Sequence, residues 1–144
     1  MRYAIKGLGL SAALAAACLA GAAGTATAAP AHPEGLYAPS ALVLTVGKGD
    51  DPATATVERA VVLRCSPAPG GDHPAPERAC AELRSAGGDF ASLVEAESDR
   101  VCPMVWEPVT VTADGTWDGR RVSYAHTFPN ACVMADRAGA VFSF

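Results

Sequence analysis

Leu42, Leu44 and Val46 interleave with Val43 and Thr45 in the segment LYAPSALVLTVGKG. A period of two puts successive side chains on opposite faces, so this stretch predicts a strand. Gly47-Lys48-Gly49-Asp50-Asp51-Pro52 ends it. ERAVVLRC, residues 58–65, predicts a second strand. SPAPGGDHPAP, residues 66–76, has four prolines, two glycines and no apolar period, so it reads as a loop. PERACAELRSAGG predicts a helix with Pro76 and Glu77 in its first turn, Ala79, Cys80 and Leu83 on one face, and Gly87-Gly88 at its end. DFASLVEAE adds a short helical turn with Asp89 as its cap. Residues 97–107 have no regular pattern.

From Pro108 to Phe128 the pattern is that of a hairpin. Val109 and Val111 alternate with Thr110 and Thr112, and the turn region holds Asp114-Gly115 and Asp118-Gly119. On the return arm Val122, Tyr124, His126 and Phe128 share one face; Arg121, Ser123, Ala125 and Thr127 share the other. NACVMADRAG reads as a short helix or irregular turn, and AVFSF, residues 140–144, as a last strand. The order is strand, strand, helix, irregular segment, then three strands. Short connections and hairpin signals favour a single α+β domain, an antiparallel sheet with helix packed on one face. There is no internal repeat.

The first residues change that picture. Arg2 and Lys6 are the only charges before residue 34, residues 7–23 are small and apolar, and Ala26-Thr27-Ala28 forms an A-x-A site. Basic start, apolar middle and small-residue exit predict a secretory signal peptide over residues 1–28, leaving a secreted domain of residues 29–144. The apolar run of 17 residues is short for a membrane anchor. Cys18 lacks the leucine three residues earlier that a lipoprotein signal usually has; Ala15 stands there.

Without the leader, 9 Lys+Arg face 15 Asp+Glu, a formal charge of −6, which argues against nucleic acid as a partner. Four cysteines remain: Cys65, Cys80, Cys102 and Cys132. An even count in a short secreted chain predicts two disulfides, and three pairings are open. Pairing neighbours closes the shortest loops, worth roughly 3 and 3.5 kcal/mol in the chain-entropy model. Zinc is disfavoured, because no two cysteines lie two to four residues apart and His32, His73 and His126 are not grouped. No metal or cofactor is expected.

VCPMVWEP, residues 101–108, is too apolar for an ordinary surface loop and too proline-bound for a central strand. Pro103 pushes Cys102 toward extended backbone, and β-branched Val105 prefers the same. Pro108 stiffens the far end. The predicted object is an extended loop clamped at both ends, with Met104 and Val105 between. Proteases bind substrate as an added strand, and prepaid rigidity turns such binding tight. If the Met104–Val105 bond were cut, a disulfide at Cys102 would keep the ends tethered and let religation compete with hydrolysis. The competing account is that CPMVW is buried core.

The chain resembles the Streptomyces subtilisin inhibitors, small secreted serine-protease inhibitors. The resemblance runs through LYAPSALVLTVGKG, ERAVVLRC, HPAPERACAELRSAGGDF, VCPMVWEPV, DGRRVSYAHTFPNAC and VFSF, nearly all of the mature chain. It implies five antiparallel strands with two helices, and a homodimer formed through the sheets. It implies the disulfides Cys65–Cys80 and Cys102–Cys132, and a reactive bond at Met104–Val105. Val101, Cys102 and Pro103 then fill the upstream substrate positions, and Trp106, Glu107 and Pro108 the downstream ones. Asn130 matches a position behind the loop whose amide supports the backbone near the bond. Met104 is long, flexible and apolar, which suits subtilisin-like and some chymotrypsin-like pockets and predicts weak binding to trypsin. Trp106 stands where tyrosine is common and Val101 where methionine also occurs. Pro129 before Asn130 alters the backbone beside the supporting amide.

Other functions are less favoured. No catalytic motif such as G-x-S-x-G is present. His126 falls in a strand pattern and reads as packed or surface, while His73, in a proline loop, reads as solvated. Asp50-Asp51 and the Glu95/Glu97/Asp99 group read as solvated surface. The main rival is a secreted binding module without inhibition. Some inhibitors of the resembled family serve as transglutaminase substrates, but here Lys48 is the only lysine after the leader and there is no glutamine.

Overall fold

The computed structural model describes residues 38–95 and 100–144. The predicted leader, with Cys18 and His32, and residues Glu97 and Asp99 lie outside the described residues. Five strands form one antiparallel sheet: β1 (Ser40–Lys48), β2 (Thr56–Ser66), β3 (Gly70–Gly71), β4 (Val109–Trp117) and β5 (Arg120–Phe128), in the spatial order β3-β2-β1-β4-β5. Three helices accompany it: α1 (Pro76–Ser85), α2 (Phe90–Val94) and α3 (Ala131–Arg137).

β1 shows why the sheet has two unlike faces. Leu42, Leu44 and Val46 are buried while Val43 on the opposite face is 47% exposed. The inward residues meet Leu63 and Cys65 of β2, Val111 and Ala113 of β4, and Phe128 of β5. Ala79, Cys80 and Leu83 of α1 and Phe90 and Val94 of α2 close over this layer, and Val133 and Met134 of α3 pack at its edge. The Cys65–Cys80 disulfide bolts α1 to β2. Asp89 accepts from Ala91 N at 3.0 Å, the predicted cap of α2.

The α+β sheet with two disulfides is as expected, but some elements differ. The fifth strand is not residues 140–144; it is Gly70–Gly71, inside the proline-rich loop. Val141 and Phe142 are neighbours and both are buried, yet they pair with no strand of the sheet. Their backbone is satisfied otherwise: Phe142 N donates to Ala138 O, and Ala140 N donates to the Glu82 carboxylate. Residues 131–137, whose pattern allows helix or turn, are helical and make a third helix among the described residues, where the resemblance implies two. The hairpin turns at Asp118-Gly119, where both residues have positive φ, as a two-residue turn needs. Asp114-Gly115 lies within β4. There Gly115 has φ +147, and a Cβ would stand 2.3 Å from Ala41 O, so β1 approaches at a distance only glycine permits.

His73 is not solvated. It is 3% exposed, accepts from Ala75 N through Nδ1 at 3.1 Å, and donates from Nε2 to Val141 O at 3.1 Å. Its ring also meets the edge of Phe144. A loop's composition does not reveal that a later segment will fold over it.

Candidate functional site

Residues 101–108 run up to the start of β4 without regular hydrogen bonding. Val101 is 94% exposed, Met104 fully so, and Trp106 65%. Val105 is half exposed, Pro103 and Glu107 are exposed, and Cys102 and Pro108 are partly covered. CPMVW is therefore not core. Among the described residues the large exposed apolar side chains fall in two places only: this loop, and Val43, Val57 and Val62 on strands β1 and β2.

The loop is held from behind by the start of α3. Asn130 is the N-cap of that helix, and its Oδ1 accepts from Val133 N at 3.0 Å. Its Nδ2 donates to Pro103 O at 3.0 Å and to Val105 O at 3.1 Å. The side chain is 7% exposed, and both of its N–H donors and its carbonyl are used, as burial requires. One amide thus spans the Met104–Val105 peptide. Two residues on, Cys132 is bonded to Cys102 with Cα atoms 5.8 Å apart. The same helical turn therefore anchors the loop covalently and braces it by hydrogen bonds.

Downstream, Glu107 N donates to Pro129 O at 2.9 Å and Gly49 N donates to Pro108 O at 3.0 Å. Pro129 thus takes part in the brace through its carbonyl. The sequence does not announce this contact from the β1–β2 turn. Its residues gave no sequence signal beyond a Gly-Asp-Asp-Pro strand end. All the loop residues named from sequence, 101–108, are brought together with Asn130 and Cys132. A cleft of about 710 Å³ lies elsewhere, between α1 and the end of α3 with the segment after it, and contains no loop residue. A convex loop that enters a partner's cleft needs none of its own.

His126 is half buried on β5, its ring 4.5 Å from that of Phe128. Burial lowers its pKa below the usual 6.5, against a smaller upward pull from Glu95. Burial, then Glu95 and Asp89, raise the pKa of Tyr124. For His126 the unfolded chain takes up the proton first as pH falls. Stability present above 6.5 is therefore lost as pH drops through the folded-state value. Urea unfolding between about pH 7 and about pH 5 should show wild type losing more stability than His126→Gln. Parallel losses would remove His126 from the acid limb.

A family profile described as Subtilisin inhibitor-like matches residues 38–130. The chain belongs to that family. It is 51% identical to Kexstatin-1 of Streptomyces platensis over 100% of both chains. It is 52% identical to a subtilisin inhibitor of Streptomyces violaceus over 93% of this chain and 92% of that one. Among solved structures it matches Streptomyces caespitosus sermetstatin in complex with Bacillus licheniformis subtilisin, with a TM-score of 0.69 and 46% identity. That match covers 74% of this chain and 99% of the other. The family is one of protease inhibitors, not enzymes.

Proposed function

We propose that this protein is a secreted, substrate-like inhibitor of subtilisin-type serine proteases, with Met104–Val105 as the reactive bond. The observation that carries the proposal is the Asn130 amide, bonded to the carbonyls on both sides of a bond whose leading side chain is fully exposed. Sermetstatin's complex with subtilisin supports the class of partner.

In this mechanism the protease serine attacks the Met104 carbonyl carbon with the loop bound as an added strand. Val101, Cys102 and Pro103 lie on the acyl side, and Trp106, Glu107 and Pro108 on the leaving side. When the C–N bond breaks, the Val105 amine does not diffuse away. Asn130 still holds Val105 O, and the Cys102–Cys132 disulfide holds the other limb. The amine re-attacks the acyl carbon and restores both the peptide and the free serine hydroxyl. Rigidity prepaid in the fold lowers the ordering cost of binding.

Residues 1–28 act as the leader that exports the domain of residues 29–144. No helix among the described residues is long and apolar enough to cross a membrane. The test is a titration of subtilisin with the mature protein, followed by end-group sequencing. Stoichiometric loss of activity, with any slow cut leaving Val105 as a new N-terminus, is the expected result. Full activity with rapid fragmentation in residues 66–76 would instead favour a binding module.

The domain pairs as a homodimer through the open sheet face. Val43 and Val62 stand opposite each other across β1 and β2, 47% and 38% exposed, on the side the helices leave bare. Two-fold pairing would bury both patches, and Val43→Asp would then enter the interface twice. It should raise the dimer dissociation constant about a hundredfold, since an unpaired buried charge costs several kcal/mol. Sedimentation equilibrium that finds the variant as dimeric as wild type would move the interface elsewhere.

A further inference from the structure

The downstream brace continues into the sheet. Gly49 N donates to Pro108 O, and the Gly49 carbonyl accepts from Thr110 Oγ1 at 2.7 Å. Thr110 Oγ1 is also 2.9 Å from Thr127 Oγ1, which lies 3.1 Å from Asp50 O. Each hydroxyl has one hydrogen. Thr110 commits its hydrogen to Gly49 O, so Thr127 shares its own between Thr110 Oγ1 and Asp50 O. Both backbone groups of Gly49 are thereby engaged, its N–H by the loop and its C=O by the sheet. Gly49 has φ +129, a conformation that suits glycine alone.

Thr110 shares the face that carries Val43 and Thr45, yet it is only 2% exposed. Its partner across β1 is Gly47, which has no side chain, and across β5 it pairs with Thr127. A buried threonine hydroxyl between a backbone carbonyl and a second hydroxyl fixes where the turn sits. Valine of the same shape would leave Gly49 O without that donor.

We propose that Thr110 is a positioning residue for resealing the reactive bond, acting through Gly49 and Pro108. This rests on Met104–Val105 being that bond. Hydrolysis consumes one water, leaving a carboxylate on Met104 and an amine on Val105. Resealing expels that water as the acyl-enzyme re-forms, and the Val105 amine then displaces the enzyme's serine. The Val105 amine is only three residues from Pro108. A turn locked by Thr110 keeps that amine near the acyl carbon, and the intact bond is favoured in proportion.

The test measures the equilibrium ratio of cut to intact inhibitor with catalytic amounts of subtilisin, approached from both pure forms. Thr110→Val should shift the ratio toward the cut form by about three- to tenfold, the scale of one lost hydrogen bond. Thr110→Ser, which keeps the hydroxyl, should return it to within about twofold of wild type. A Thr110→Val ratio equal to wild type, with only a lower melting temperature, would show a merely structural hydroxyl and overturn the proposal. If Thr110→Val does not fold, Thr127→Val replaces it, with a shift of about twofold expected and an unchanged ratio overturning the idea. Failure of the underlying bond assignment is read separately, from wild type alone: it would not inhibit, or would be cut elsewhere.

Discussion

Met104→Lys is expected to strengthen trypsin binding by about two to three orders of magnitude and to weaken subtilisin binding much less. The side chain before the reactive bond is the one that enters the protease's specificity pocket. A trypsin-type pocket ends in a buried carboxylate. A thioether there leaves that charge desolvated and unpaired, a cost of about 3–5 kcal/mol that an ammonium removes. The substitution carries little risk to the fold, because Met104 is fully exposed. Subtilisin's pocket is broad and apolar, and the lysine stem can lie along it with its charge at the mouth. Inhibition constants for both enzymes, wild type against variant, decide the matter. Trypsin indifferent to the lysine would mean that another bond enters the active site.

Asn130→Asp should turn a slowly cut inhibitor into a quickly cut one, with hydrolysis after Met104 at least about tenfold faster. Aspartate keeps the oxygen that caps α3, a role it fills as well as asparagine. It loses both N–H donors and points a carboxylate at the carbonyls of Pro103 and Val105. Asn130→Ala loses the same donors and the cap as well, so it should be cut as fast and also be less stable by about 1 kcal/mol. The comparison separates the brace from the helix. Should both variants survive subtilisin as long as wild type, the disulfide alone would be holding the loop.

The parts of the molecule legible in the sequence are those that depend on local pattern. Alternation in β1 and β4, Pro76 and Gly87-Gly88 around α1, and the Asp118-Gly119 turn are all dictated by neighbours in the chain. Residues 101–108 carry local signals of the same kind, since Pro103, Val105 and Pro108 restrict their own backbone. Partners distant in the chain are not legible. His73 is buried by a segment 68 residues later, and Thr110 meets Gly49 across 61. No periodicity encodes such meetings. Residues 140–144 misled because a short apolar run looks alike whether it pairs in a sheet or tucks beneath a helix. Asn130 stands apart: its place behind the loop follows from resemblance, but its twin role as helix cap and brace depends on the fold bringing Pro103, Val105 and Val133 to one amide.

The two tryptophans divide the molecule optically. Trp106 is 65% exposed on the loop, and Trp117 is 7% exposed in the core. A quencher in solution reaches the first and not the second. Capture by a protease extinguishes the first signal's access to quencher, while unfolding opens the second. The chain therefore carries its own pair of fluorescent reporters, one for engagement and one for integrity, and single Trp→Phe variants would isolate each without an added label.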